Sequence, residues 1–493
     1  MIMPYLRSPL LLLALGFCCL FQSCYWMRPS SGGGQKAAFT APRTITPADI
    51  ALPDGYTAEA VATGLTFPTG LAFDGQGRLH VVESGYAYGE VFAPPRLLRV
   101  GTDGSLTPLA TGATRTGPWN GVTFHDGSFF VADGGVLEGG KILRISPEGS
   151  ITTLVENLPG YGDHHSNGPA VGPDGYIYFG QGTATNSGVV GPDNADYGWL
   201  PRRPAFHDIP CQDIELTGRN YTSDDPLTKA SGDQASTGAF SPFGTPTSAG
   251  QVVPGQLPCS GSVMRVPASG GPLELVAWGF RNPFGLAFAP NGRLYVTDNS
   301  YDDRGSRPVW GVGDYLWAVQ PGTWYGWPDF SGGRPLASSL YDKPGGSPPE
   351  PLLRRHPNEP PQAAARFGVH ASACGLDFSR SSAFGYEGEA FVAEFGDLAP
   401  AVGKILAPVG YKVVRVNPET GAVEDFAVNK GRRNGPATRY NTGGLERPVA
   451  VKFSPDGQSL YIVDFGVVLL DGKDLKPQQN TGVIWRISRK EGI

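Results

Sequence analysis

Two of the chain's seven histidines are adjacent in GDHHSNG (Gly162 to Gly168), with Asp163 beside them. An imidazole titrating near neutrality suits general-base work, and a neighbouring carboxylate can orient it and support the charge it gains. Asp163 and His164 are therefore the candidate catalytic pair, with His165 at the substrate; a solvated loop histidine is the competing reading. GFRNPFG (Gly279 to Gly285) supplies Arg281, a fixed cation with planar donors, and Asn282, both donor and acceptor. That pair suits a ligand with carboxylates or quinone oxygens, or Arg281 is a structural ion-pair partner. DNSYDDRG (Asp298 to Gly305) brings together Asp298, Asp302 and Asp303, and Asp314 follows. Hard oxygen ligands at this density suit calcium, although the spacing is no EF-hand and acidic loops are often only solvated. In WYGWPDF (Trp324 to Phe330), Tyr325 and Trp327 can stack on a sugar or a planar cofactor, or simply pack.

These groups lie far apart in sequence, so the fold must bring them together. One pattern recurs along the chain: a short apolar strand, a Gly-containing turn, then a strand ending in an acidic residue. It appears at Phe67 to Gly85, Trp119 to Gly135, Asn167 to Gly182, Asn282 to Asn299, Ala373 to Gly396 and Arg447 to Gly466. DGQG, PDG and PNG are hairpin turns, and the flanking runs are β-branched and aromatic. A second kind of strand pair lies between them, as in RLLRVGTDGSLTPLATG and YKVVRVNPETGAVEDF. About four strands per repeat make one propeller blade, and the repeats predict an all-β, six-bladed propeller. The tail GVIWRISRK (Gly482 to Lys490) is half of a pair, and GYTAEAVATG (Gly55 to Gly64) is its missing half. The N- and C-terminal strands thus share one blade and close the ring. One long insertion, about residues 185–260, lies between the third and fourth repeats.

Gly 70 and Pro 46 are high, but Trp 9, Tyr 19 and Phe 25 are too many for a disordered chain. The net charge of -6 without a basic block argues against a nucleic-acid partner. Arg7 followed by an apolar run from Pro9 to Phe21 reads as a signal peptide over residues 1–24. Ser23-Cys24 fits a lipoprotein cleavage site, except that Phe21 stands where Leu is usual, so a lipid anchor on Cys24 stays open. Residues 25–50 read as a flexible linker and 51–493 as the propeller. The chain is expected outside the cytoplasm, in the periplasm or at the cell surface. In that setting Cys211 and Cys259, flanking the insertion, are expected to form a disulfide, leaving Cys374 as a small buried residue.

Taken together, the segments resemble the pyrroloquinoline-quinone (PQQ) dependent glucose/sorbosone dehydrogenases, from about Leu52 onward. The landmarks are DHHS at Asp163, GFRNPFGLAF at Gly279, YGWP at Tyr325, GYKVVRV at Gly410 and ERPVAVKFSPDG at Glu446. The resemblance implies PQQ on a calcium ion at the propeller mouth, a sugar substrate and an external electron acceptor. A histidine removes the hydroxyl proton while hydride passes from the sugar to the quinone. By position His164 matches that base, and Arg281, Asn282, Arg447 and Lys404 match residues beside the cofactor. The chain departs from the family after the third repeat, where an Asp contacting the base is replaced by GQGTATNSG, with Thr183 or Asn186 nearby. Two other classes remain: a calcium-dependent propeller lactonase, with a metal on the axis held by carboxylates from several blades, and a non-catalytic binding module.

Overall fold

A computed structural model describes residues 37–490 apart from 197, 229, 231, 344, 399–406 and 472–473. Six antiparallel sheets form the blades of one propeller. Their innermost strands are Pro68–Phe73, Trp119–His125, Ser166–Val171, Pro283–Phe288, Ala373–Phe378 and Pro448–Phe453, defining blades one to six. Each packs against the next, and the sixth against the first, so the ring is closed. The second strands are buried for most of their length, and throughout in Leu79–Glu83 and Ala390–Glu394, because a neighbouring blade covers each face. Near-continuous apolar runs therefore replace simple alternation. Phe391 meets Phe426 of its own blade edge-on at 4.8 Å and Phe453 of blade six at 5.3 Å.

The acidic residue that ends the second strand has a structural role repeated around the ring. It accepts backbone N–H groups from the segment entering the innermost strand. Glu83 takes Thr66 N at 2.7 Å, Asp133 takes Gly117 N at 3.1 Å, Asp298 takes Asn282 N at 2.7 Å and Asp464 takes Arg447 N at 2.8 Å. Each carboxylate satisfies donors that the strand itself cannot pair.

Closure joins the two ends of the chain in blade six. Gly482–Arg489 lies between Ser459–Asp464 and the N-terminal strand Tyr56–Leu65. The stretch expected as a linker up to residue 50 is docked from Arg43 onward. Arg43 reaches Asp464 at 2.6 Å with both side chains buried, and Ile50–Ala51 adds a fifth strand to blade five. The expected signal peptide and Cys24 lie outside the described residues.

Blade three is interrupted after Gln181 and resumes at Ser262, and a second excursion separates Gly313–Ala318 from Ala365–Val369 in blade four. Only the first was expected. The two interlock: Thr217 N donates to Leu352 O at 2.8 Å and Arg354 N to Glu215 O at 2.8 Å. The first also reaches blade two, with the Arg203 guanidinium 3.7 Å over Tyr161, and blade one, through Arg202 and Glu90 at 3.2 Å. Cys211 and Cys259 are joined by a disulfide within it. Cys374 is buried and free.

Candidate active site

The entrances to the innermost strands share one face of the ring, and there the histidine loop forms. Residues 162–165 run beside 182–185: Asp163 N donates to Ala184 O at 3.0 Å, His164 N to Thr183 O at 3.1 Å and Gly182 N to His165 O at 3.0 Å. Position 182 must be glycine, because a Cβ there would lie 2.2 Å from His164 Cβ. This contact fixes the His164 side chain, 7% exposed, with Nδ1 3.0 Å from Thr183 O. A carbonyl can only accept, so Nδ1 carries the proton and Nε2 the lone pair. Burial, then the Arg281 and Arg304 charges, hold the His164 pKa well below the usual histidine value. His164 is a neutral imidazole with a defined tautomer.

Arg281 is tied to His164 through Thr183, whose N–H donates to Arg281 O at 2.9 Å. Its guanidinium donates to Asn186 O and Oδ1 at 3.1 and 3.0 Å, Asn299 O at 3.2 Å and Asp302 at 2.8 Å. Asp302 also accepts from Arg304 at 3.1 Å and faces His370 Nδ1 at 3.2 Å. That pairing raises the His370 pKa against the opposing effect of burial, while Arg281 and His370 hold Asp302 well below the carboxylate range despite its burial. Arg447 donates to the carbonyls of Phe395, Gly396 and Asp397 and stands 4.9 Å over the Tyr411 ring. His164, Arg281, Asn282 and Arg447 thus occupy corresponding entrances on one face.

A chain of amides follows the rim. Asn120 Nδ2 donates to Asn167 Oδ1 at 3.1 Å, Asn167 to Asn282 at 2.9 Å, Asn282 to Asn299 at 3.1 Å, and Asn299 to Ala373 O at 2.7 Å. It spans blades two to five. Sequence reasoning singled out Asn282 alone of these four; it named Thr183 or Asn186 only as residues near the base, and it missed His370. A lone histidine before the fifth repeat was the available signal for His370. Asparagine at a repeat entrance carries no comparable mark.

Several expected roles are corrected. Asp163 does not orient His164; its carboxylate pairs with Arg304 and accepts from Asn194 Nδ2 at 3.0 Å. Burial raises its pKa to about 6 against the Arg304 charge. His165 is 5% exposed, with Nδ1 3.2 Å from Gly160 O. Tyr325 and Trp327 are core residues: Tyr325 stacks on Phe280 at 4.3 Å and donates to Ala318 O, and Trp327 meets Phe240 edge-on at 5.6 Å. The four proposed calcium ligands do not form one cluster. Asp298 and Asp314 accept backbone amides, Asp302 holds Arg281, and Asp303 pairs with Lys343 at 2.7 Å. Among the described residues no group of three or more His, Cys, Asp or Glu is arranged to hold a metal ion. Lys404 lies outside the described residues.

The fold defines the class, a six-bladed propeller, and on one face of it a buried neutral imidazole lies near two guanidinium groups. Several solved structures share this fold. A calcium-containing structure of the Trichoderma reesei family AA12 enzyme aligns at 15% identity over 92% of this chain and 100% of that one, TM-score 0.53. The holo PQQ domain of Coprinopsis cinerea pyranose dehydrogenase aligns at 15% identity over 91% and 98%, TM-score 0.51. The apo soluble aldose sugar dehydrogenase of Escherichia coli aligns at 15% identity over 88% and 100%, TM-score 0.51. At these identities the shared property is the fold. No family model and no curated protein matches the chain in sequence. Among the described residues no helix is long and apolar enough to cross a membrane.

Proposed function

We propose that the chain is an exported sugar dehydrogenase using PQQ, with His164 as the base that takes the sugar hydroxyl proton and an external acceptor receiving the electrons. The carrying observation is the His164 tautomer: Nδ1 is held by Thr183 O, which leaves Nε2 as the basic atom. Guanidinium groups near His164 are the feature that suits a polyanionic quinone, although Arg281 is paired with Asp302, and Arg304 with Asp163, Asp193 and Asp302. The acidic residues named above do not fit calcium as a set. When bound, PQQ would supply a quinone that accepts hydride from the sugar carbon. His164 receives the hydroxyl proton at Nε2, and the Thr183 carbonyl stabilises the imidazolium so formed. Arg281 and Arg447 act from behind the mouth, since their donors are committed to carbonyls and to Asp302.

The test adds PQQ with calcium to purified protein and follows the bound quinone spectrum and sugar-dependent dye reduction. His164→Ala should lower turnover by about 10²–10⁴-fold, the usual contribution of a general base, while quinone binding persists. Undiminished sugar oxidation by that variant would end the reading. Absence of quinone binding in the native protein would favour the non-catalytic module.

A further inference from the structure

The loop that orients His164 is itself held from outside the propeller. Asp208 belongs to the blade-three insertion and is 1% exposed. Its Oδ1 accepts Ala184 N at 2.6 Å and its Oδ2 accepts Thr185 Oγ1 at 2.5 Å. Thr185 Oγ1 in turn accepts Gly188 N at 2.8 Å, and Thr183 Oγ1 donates to Thr185 O at 2.7 Å. Both oxygens of Asp208 are therefore spent on the segment whose carbonyl at Thr183 fixes the imidazole.

Asp208 is anchored in turn. Ile209 N donates to Ser260 Oγ at 3.1 Å and Ser260 N to Ile209 O at 2.9 Å. Next to that pair the Cys211–Cys259 disulfide ties the departing arm of the insertion to the arm returning to strand Ser262–Pro267. The insertion thus clamps the base loop to blade three.

We propose that Asp208 is the positioning residue of His164, setting its tautomer through Thr185, Ala184 and Thr183 without touching substrate or cofactor. This rests on the reading of His164 as the base. It also accounts for the departure from the family pattern: the carboxylate that orients the base acts through a loop instead of directly. Burial, against its hydrogen bonds with Thr185 and Ala184, raises the Asp208 pKa to about 7, as expected for a carboxyl enclosed on all sides.

The test reads His164 directly. Nitrogen-resolved NMR of the native protein should show the Nδ1–H tautomer, with no cofactor needed. Asp208→Asn and Thr185→Val should each give a mixed tautomer, and Thr185→Ser, which keeps the hydroxyl, should restore the native one. In PQQ-loaded protein the first two variants should lower kcat by about 10–100-fold, the usual scale for a group supporting a functional residue from behind, with KM and quinone affinity unchanged. A native tautomer in both Asp208→Asn and Thr185→Val would overturn the proposal. A tautomer change in a protein that oxidises no sugar would uphold the positioning and discard the function instead.

Discussion

At His164, burial and two guanidinium groups oppose protonation, and the effect should be visible in kinetics. Protonation removes the base, so its lowered pKa displaces the acid limb of kcat/KM to well below the usual histidine value of about 6.5. An acid limb at that ordinary value would show that His164 is not the group being titrated. The neighbouring His165 makes a separate stability prediction. Burial, against its bond to the Gly160 carbonyl, lowers its pKa to about 4. The unfolded chain then binds a proton that the folded chain refuses, so stability is full above about pH 6.5 and falls as pH drops toward 4, by up to about 3 kcal/mol. Urea midpoints measured across that window should decline in the native protein and decline less in His165→Gln. His164 and Arg281 were legible because rare chemical types stood at repeat entrances. Thr183 was legible only as a neighbour of the base and not in its role, since it acts through a backbone carbonyl that every residue has. The proposed ligand set failed at Asp298 because that residue was judged within its own loop. Compared with Glu83, Asp133 and Asp464, it holds the same place in the repeat and performs the same backbone duty.

Among the blade elements, Asp464 carries the most connections, accepting from Glu446 N, Arg447 N, Arg43 and Trp485 Nε1. Asp464→Ala would leave the buried Arg43 charge unpaired, and a loss of about 3–5 kcal/mol is expected from equilibrium unfolding. A loss under 1 kcal/mol would show that the N-terminal arm releases without cost. The insertion offers a second measurement. With a sequence separation of 48 between the joined cysteines, the chain-entropy model gives about 4 kcal/mol for the cross-link. Cys211→Ser with Cys259→Ser should lower stability by that order, and equal midpoints for variant and native protein would refute the estimate. The strands were readable from turn signals and apolar runs. The outer pair of blade four was not, because its two strands are parted by residues 319–364, and no local hairpin marks them.

Over the whole molecule, strand Gly482–Arg489 has partners on both sides, one from each end of the chain. A chain ending at Thr481 would open blade six and expose two unpaired edges, which invites aggregation. Size-exclusion chromatography and circular dichroism should show loss of the cooperative monomer; a truncated chain melting at the native temperature would contradict this account of closure. The repeats made the architecture legible, but they could not show where the six-fold likeness ends. The rim amides end it. From Asn120 to Ala373 each donates to the next in the direction of blade order, so their dipoles add along an arc instead of cancelling around a circle. A ring of like blades has no preferred compass bearing, whereas this one has a negative pole at Asn120 and a positive pole toward blade five. A flat, dipolar ligand laid across the mouth would therefore have one favoured azimuth, and its half-turn would be opposed by charge before shape was consulted. Asn167→Asp, which can accept but not donate, would break that bearing where blade three meets blade four.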